Sequence, residues 1–320
     1  ASDYDKISAI YKWVAQEVRY MGLTMEETSP GYAPHDVNIT FENRYGVCRD
    51  KAALLTAMLR IAGFEAYPVL IHAGAKMDNE VPLPYFNHAI TAVRAPSNKE
   101  ADKAGYILMD PTDESSRDIM PAYLGDRSYL VATPFGETLH VSSVPPALKN
   151  SLDVVSEGSF EKDGSILVKS VIKFKGLNDN AYRHGLLKMT SDNRRRFFER
   201  VVRSASSSAE LISAELKPED LRKTEEELTL ELYFRVNEAL LKGKSREEFT
   251  LPSLSRALGV ANWIFEGSTS LLKRRFPLVI SSTARISEQI KIKLDDSIGE
   301  VVALPKDISI DGAYSFMRKT

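Results

Sequence analysis

The sequence is poor in cysteine, in net charge and in long apolar runs, and each shortage excludes a class of protein. One cysteine among 320 residues rules out an internal disulfide. A net charge of −2 indicates neither a nucleic acid nor an anionic membrane as partner. No apolar run approaches the ~20 residues of a membrane span. What is present, 43% apolar and 27% charged residues, is typical of a globular chain long enough for two domains.

The ends of the sequence and its composition give little about location. The chain starts at Ala1 without a methionine, which indicates a processed product or a cloned fragment and leaves room for a further N-terminal domain. No signal peptide is recognisable. An extracytoplasmic location, periplasmic or secreted, is the interpretation we favour.

The single cysteine, Cys48, lies where an irregular segment turns into a helix. Gly46 precedes it at a position suited to a tight turn. After it, an apolar stripe at helical spacing and the capping glycine Gly63 predict a helix that begins near Cys48. The stripe consists of Leu55, Met58, Leu59 and Ala62. Backbone N–H groups at a helix start favour the thiolate, which is the nucleophilic form.

A nucleophilic thiolate needs a base and an orienting group, and two predicted strands supply them. Residues 86–93 predict a strand that opens with His88. Residues 106–110 predict a strand that ends in Asp110, where Pro111 stops the ladder. If these strands are neighbours, Asp110 orients His88 and His88 faces Cys48, as in a catalytic triad.

These motifs resemble the bacterial transglutaminase-like superfamily. The resemblance rests on Tyr45–Ala52, Phe86–His88 and Leu108–Thr112, in that chain order, and extends over about residues 1 to 125. It implies a papain-like core with Cys48 as nucleophile, His88 as base and Asp110 as orienting residue. The reaction stays open, because the superfamily includes cross-linking acyltransferases, peptidases, peptide-glycan amidases and inactive members.

Cys48 has two other interpretations. A lone cysteine is commonly a small buried apolar residue. Cysteine, histidine and aspartate also bind zinc, but close ligand pairs are absent from the sequence. We therefore expect no metal and no organic cofactor.

Several polar residues compete with the three favoured ones. His72 ends a predicted strand and is a second candidate base. Asp102, in a charged turn, and Asp113, past the proline, compete with Asp110. His35 is interpreted as a solvated loop histidine. Segments 21–42 and 73–85 are predicted to form the two walls of a cleft.

The oxyanion donors are less well determined. The backbone N–H of Cys48 is the first candidate. A side-chain donor is sought among Gln16, Asn43 and Tyr45.

The fold class predicted from the whole pattern is α+β. Residues 1–125 form the transglutaminase-like core, 126–150 a connection with short strands at 128–132 and 137–142, and 151–320 a β-sandwich-like accessory domain with a helical insertion near 178–206. Its strands are predicted to be antiparallel from the alternation in 166–175, 228–236 and 286–294. His184 is placed mid-helix with no partner.

The predicted function is a cysteine-dependent hydrolase or acyltransferase that acts on an amide or peptide bond through a thioester acyl-enzyme, with hydrolysis favoured. The substrate is a peptide or protein, and cell-wall peptide is one candidate. The alternatives are a catalytically silent binding or assembly module, since fold does not fix function, and a true cross-linking transglutaminase.

Overall fold

The computed structural model describes most of the chain: residues 2–22, 33–74, 76, 85–244, 246–268, 273, 275–278, 280, 282–295, 298–299, 301–312 and 315–320. Helices and largely antiparallel sheets are mixed along it, which confirms the α+β class.

Among its described residues, the N-terminal half carries three α-helices and seven strands. The helices are α1 (Asp3–Glu17), α2 (Val37–Asn43) and α3 (Cys48–Ile61). The strands are β1 (Arg19–Tyr20), β2 (Tyr45–Gly46), β3 (Ala66–Ile71), β4 (His88–Arg94), β5 (Tyr106–Met109), β6 (Ser128–Val131) and β7 (His140–Val141).

A five-stranded antiparallel sheet, in the order β5-β4-β3-β6-β7, organises this half. Helices α1 and α3 pack together through apolar residues that recur at helical spacing. Their shared core includes Ile7, Tyr11, Val14, Leu55 and Leu59. Two residues of the predicted α3 stripe are less buried than the others. Met58 is half-buried, and Ala62, which follows the last helical residue Ile61, is exposed.

The segment expected to connect the two halves contributes to the first sheet. Strand β6 pairs with β3, and β7 pairs with β6. A short 3-10 helix, Ala147–Asn150, then leads into the C-terminal half. The division at residues 125 and 150 stays a prediction.

The C-terminal half contains three helices and nine strands among the described residues. The helices are α4 (Leu177–Leu187), α5 (Ser191–Ala205) and α6 (Val260–Ser268). The strands are β8 (Ser151–Phe160), β9 (Ile166–Phe174), β10 (Ala209–Lys217), β11 (Thr229–Val236), β12 (Leu241–Lys242), β13 (Glu247–Glu248), β14 (Arg285–Lys293), β15 (Ile308–Ile310) and β16 (Phe316–Arg318).

The sheet of this half has the order β10-β11-β9-β8-β14. Three of its four pairings are antiparallel, as predicted. Strand β14 instead pairs in parallel with β8, so the prediction of an antiparallel strand at 286–294 is wrong. Alternation shows a half-buried strand but not its direction relative to a neighbour.

The β-sandwich is not confirmed. One face of the sheet buries its apolar residues together with those of α4 and α5. On the opposite face lie ion pairs such as Lys169–Glu231 (3.1 Å), between β9 and β11, and Arg235–Asp163 (2.9 Å), between β11 and the turn after β8. Within the described part of the chain, no second sheet of comparable size covers that charged face.

The predicted helical segment contains two helices, α4 and α5. Lys188 ends α4, and Thr190 caps α5 by accepting a hydrogen bond from the Asn193 backbone N–H. A threonine in this position competes with helix continuation, which periodicity alone does not reveal.

Candidate active site

Cys48 is the first residue of α3, as the sequence predicts. Gly46 is needed there because a Cβ would lie 2.8 Å from the Cβ of Asp50 and 3.3 Å from Cγ2 of Thr40. Asp50 is buried and accepts a hydrogen bond from the backbone N–H of Val47 (3.1 Å), which fixes the start of the helix. The thiol is therefore held at a rigid helix N-terminus and is only partly exposed.

His88 and Asp110 are brought together by the antiparallel pairing of β4 with β5. His88 opens β4, and Asp110 follows the last residue of β5. His88 Nε2 lies 2.9 Å from Asp110 Oδ2. The histidine side chain also hydrogen-bonds to the thiol of Cys48, so Nδ1 is the ring nitrogen left for sulfur. Asp110, His88 and Cys48 are thus connected in this order by hydrogen bonds, with His88 in the middle.

Asp110 is completely buried and well supplied with hydrogen-bond donors. Its Oδ1 accepts from the backbone N–H (2.9 Å) and hydroxyl (2.7 Å) of Thr112, and its Oδ2 also lies 3.4 Å from the Tyr123 hydroxyl. Burial raises the pKa of the carboxyl, but the bonds from His88 and Thr112 outweigh burial and hold it below its usual value. Asp110 is accordingly an anion at neutral pH.

The hydrogen bonds at Cys48 favour charge separation between sulfur and imidazole. Burial raises the pKa of the thiol, but hydrogen bonds from His88 and from the backbone N–H groups of Ala89 and Arg49 bring it below its usual value. Burial lowers the pKa of His88, while its bonds to Asp110 and Cys48 raise it to about 10. A thiolate beside an imidazolium is the arrangement that these shifts favour.

The rival residues lie elsewhere or serve local structure. The Nδ1 of His72 accepts a hydrogen bond from the Gly74 backbone N–H (3.0 Å). Asp102 accepts hydrogen bonds from the Ala104 backbone N–H and the Tyr129 hydroxyl, so its carboxylate stabilises its own turn.

His35 lies in a loop with a partly exposed side chain, as predicted, and it also has a buried partner. Its backbone N–H (2.9 Å) donates to Asp50 Oδ1, and its Nδ1 lies 3.0 Å from the same oxygen. It therefore ties the segment before α2 to the first turn of α3. Most of the two predicted cleft walls, residues 23–32, 75 and 77–84, lies outside the described residues.

The three candidate side-chain oxyanion donors lie in different parts of the fold. Gln16 donates to the carbonyl of Arg222 (2.8 Å) and to the Thr224 hydroxyl (3.3 Å), at the junction with the C-terminal half. Tyr45 is half-exposed in β2, and Asn43 is exposed at the end of α2.

Two tyrosines near the three favoured residues were missed by sequence reasoning. Tyr20 pairs with Gly46 across β1 and β2, and its hydroxyl pKa is raised by burial and by the charges of Cys48 and Asp110. Tyr123, from a 3-10 helix at Ala122–Leu124, reaches Asp110. The sequence offers no motif around either residue.

Lys51 was also missed, although it lies three residues after Cys48. It is fully buried, and its Nζ donates to the carbonyls of Ala15 (3.1 Å) and Val18 at the C-terminal end of α1. Burial lowers its pKa to about 8. Lys51 thus fastens α3 to α1 below the candidate site.

Among the described residues, potential metal-binding groups and membrane-spanning helices are absent, and a cavity is present. In the described ranges, no group of three or more His, Cys, Asp or Glu side chains is arranged to hold a metal ion. No helix within those ranges has the length and apolar character to span a bilayer. A cavity of about 360 Å³ lies away from Cys48, between α1, the loop after Asp110 and α4.

Comparison with known proteins confirms the resemblance of the N-terminal part. Residues 1–111 match the family model described as the transglutaminase-like superfamily. No curated protein matches. A crystal structure of a "putative protease" from Parabacteroides distasonis matches at 13% identity and a TM-score of 0.37, over 82% of this chain and 50% of that one. The chain therefore spans about half the length of this solved structure, and a likeness of that degree carries no argument about activity.

Proposed function

We propose that the chain is a transglutaminase-like thiol enzyme that cleaves or transfers an amide or peptide bond, with Cys48 as nucleophile, His88 as general base and acid, and Asp110 as the residue that orients His88. The observation that carries the proposal is the position of His88, which is hydrogen-bonded to both the thiol and the buried carboxylate. The match of residues 1–111 to the superfamily supports the same class of chemistry.

In the proposed reaction, the thiolate of Cys48 attacks the carbonyl carbon of the substrate and gives a tetrahedral oxyanion. The imidazolium of His88 then passes its proton to the leaving amine as the C–N bond breaks, and a thioester remains on sulfur. A water molecule attacks the thioester while His88 accepts its proton. Collapse releases the free acid and restores the thiolate–imidazolium pair.

Hydrolysis is favoured over transfer because, in the part of the chain that the structure describes, Cys48 and two tyrosines near it are partly exposed. Cys48 is only partly buried, and the neighbouring tyrosines Tyr20 and Tyr123 are 42% and 38% exposed. An enzyme that transfers its acyl group to an amine has to keep water from the thioester. A peptide or protein, including cell-wall peptide, is the proposed substrate.

The first test is covalent labelling with a thiol-directed, activity-based probe, followed by a screen of peptide, isopeptide and cell-wall amides. We expect labelling and turnover that are both lost in Cys48→Ser. Absence of turnover on every amide, together with an unreactive thiol, would instead support a silent binding or assembly module.

The second test separates hydrolysis from transfer with any substrate that the screen identifies. A primary amine is added at millimolar concentration, and mass spectrometry gives the ratio of amide product to free acid. We expect mostly free acid. A predominance of amide would identify a transferase and overturn the preference for hydrolysis.

A further inference from the structure

The loop that follows Asp110 is part of the candidate active site on its inner side. Thr112 donates two hydrogen bonds to Asp110 Oδ1. The backbone N–H of Asp110 donates to the carbonyl of Ile119 (2.8 Å), which closes the loop. The orientation of the carboxylate therefore depends on the shape of residues 110–119.

On its outer side the same loop is bonded to the C-terminal half. Asp113 Oδ1 accepts from the backbone N–H (3.1 Å) and hydroxyl (2.8 Å) of Ser115, and its Oδ2 accepts from Asn180 Nδ2 at 2.7 Å. Ser115 is fully buried, and its hydroxyl lies 3.4 Å from Nδ1 of His184. The prediction that His184 lacks a partner is therefore wrong.

Asn180 and His184 lie four residues apart and so share one face of α4. The orientation of that face is fixed by the buried neighbouring pair, Asp179 and Arg183, which form a two-pronged ion pair with distances of 2.8 and 3.0 Å. Arg183 also donates to the carbonyls of Leu221 and Glu226, both at 2.9 Å. These buried bonds fix α4 within the C-terminal half, so that Asn180 and His184 can position the loop after Asp110, which belongs to the N-terminal half.

A second route joins the same regions. Tyr11 of α1 donates to the backbone carbonyl of Asp110 (3.1 Å), and Gln16 of α1 donates to the carbonyl of Arg222 (2.8 Å). Arg222 lies in the segment that Arg183 holds. The C-terminal half therefore contacts both the loop after Asp110 and the helix that packs against Asp110.

We propose that α4 is a positioning element for the active site, in which Asn180 acts through Asp113 to fix the loop that orients Asp110. The inference rests on the proposed function, since it assigns the C-terminal half a part in the same reaction. Asn180 and Asp113 are positioning residues; neither touches the proposed reacting atoms.

The experiment compares three variants of the full chain. Two are the single substitutions Asn180→Ala and Asn180→Asp. The third, called the exchange, is the double variant that combines Asp113→Asn with Asn180→Asp. The exchange restores the hydrogen bond with donor and acceptor reversed, because Oδ1 of an asparagine at 113 can still accept from Ser115. Asn193→Ala, an exposed asparagine of α5, is the matched control. The readouts are kcat and KM on a substrate from the amide screen, the pH midpoint of Cys48 alkylation by iodoacetamide, and Tm.

We expect Asn180→Ala to lower kcat about tenfold, equivalent to about 1.4 kcal/mol, with KM unchanged and the alkylation midpoint moved to higher pH. Asn180→Asp should be worse because two carboxylates then face each other, and the exchange should recover at least half of the lost activity. The exchange compared with Asn180→Asp decides the matter even if Asn180→Ala is poorly folded.

The inference is overturned if Asn180→Ala behaves like Asn193→Ala, or if kcat falls with an unmoved alkylation midpoint and no recovery in the exchange. Failure of the proposed function has a different signature. In that case the thiol of the unaltered protein is itself unreactive, whatever residue occupies position 180.

Discussion

At the scale of single residues, the protonation state of Cys48 decides whether the proposed reaction can begin. The bonds from His88, Ala89 and Arg49 lower the thiol pKa against the effect of burial. We expect the rate of alkylation to show a midpoint below the usual pKa of about 8.5. His88→Ala should move that midpoint upward, because burial remains and the main compensating bond is lost.

His72→Ala provides the control for this measurement, since His72 is the rival base and its Nδ1 accepts a hydrogen bond from the Gly74 backbone N–H. Its midpoint should match that of the unaltered protein. A midpoint at or above 8.5 in the unaltered protein would contradict the nucleophile assignment.

The pH dependence of turnover follows from the same shifts. Activity should rise as Cys48 deprotonates below its usual pKa and should fall as His88 loses its proton near pH 10. The plateau between the two limbs corresponds to the thiolate–imidazolium pair. A kcat/KM profile measured from pH 4 to 11 tests this, and a rising limb centred at or above about pH 8.5 would be inconsistent with it.

Asp110→Asn should lower kcat by about 10²- to 10⁴-fold with little change in size or packing. The amide would donate to His88 Nε2 and leave the proton on the nitrogen that faces sulfur, so His88 could not accept the thiol proton. The His88 pKa, followed by NMR, should fall from its raised value. Asp36→Asn is the control, because asparagine caps α2 as well as the exposed aspartate does.

Residue-level expectations succeeded where a side chain stands in a recognisable local motif. The helix at Cys48, the strand opening at His88 and the strand ending at Asp110 follow from periodicity and from Pro111, and the structure brings these side chains together. Tyr20 and Tyr123 could not be found in this way. Tyr123 reaches Asp110 only because residues 110–124 fold back, which the local sequence does not encode in any motif.

At the scale of elements, the close approach of α2 to the start of α3 depends on Gly46. Gly46→Ala should destabilise the fold by about 1–3 kcal/mol, because the new Cβ would overlap Asp50 at 2.8 Å. It should also lower the reactivity of Cys48 by shifting the helix start. Gly22→Ala is the control, since nothing lies within 4 Å of the added carbon. Equal free energies of unfolding for the two variants in urea would disprove the packing argument.

The attachment of α3 to α1 through Lys51 should make stability depend on pH. The folded-state pKa is about 8 and the reference value 10.5, so the unfolded chain binds more protons between these limits and stability rises with pH there. The free energy of unfolding, relative to Lys51→Met, should increase by up to roughly 3 kcal/mol from pH 8 to 10.5. Lys99→Met, at an exposed site, should show no such difference; a flat curve for both would refute the prediction.

Whether a segment is a helix or a strand was more predictable from the sequence than which strand it pairs with. Alternating apolar residues predicted β9, β11 and β14, and an apolar stripe predicted α3. The parallel pairing of β14 with β8 joins residues more than 130 positions apart, such as Arg285 with Ser151. That pairing depends on the packing of the whole half, and a strand's own pattern carries no information about it.

At the scale of the whole molecule, the two halves meet through side chains that the sequence shows as unrelated. The bond from Gln16 to the carbonyl of Arg222 spans 206 positions, and that from Asn180 to Asp113 spans 67. Each donor is an ordinary amide in a helix, with no local signal of a partner. Sequence reasoning therefore predicted two units and missed the contacts that join the C-terminal half to the loop after Asp110.

The buried ion pair Asp179–Arg183 should contribute most to holding α4 against the loop after Asp110. An exposed ion pair of the same spacing in α5 serves as the control. Both Asp179–Arg183 and Arg195–Glu199 are spaced four residues apart, with Nε–carboxylate distances of 2.8 and 3.1 Å. The side chains of Arg183 and Asp179 are 0% and 1% exposed, whereas those of Arg195 and Glu199 are 62% and 32% exposed.

Arg183→Met would leave the Asp179 carboxylate buried without its cation and would leave the carbonyls of Leu221 and Glu226 without this hydrogen-bond donor. We expect a loss of about 3–5 kcal/mol in the free energy of unfolding, against at most about 0.5 kcal/mol for Arg195→Met. Urea unfolding followed by tryptophan fluorescence gives both values, and the kcat of Arg183→Met should also fall as α4 loosens its hold on the loop after Asp110. Similar losses for the two variants would mean that burial of the pair contributes nothing and that α4 is held by its apolar contacts alone.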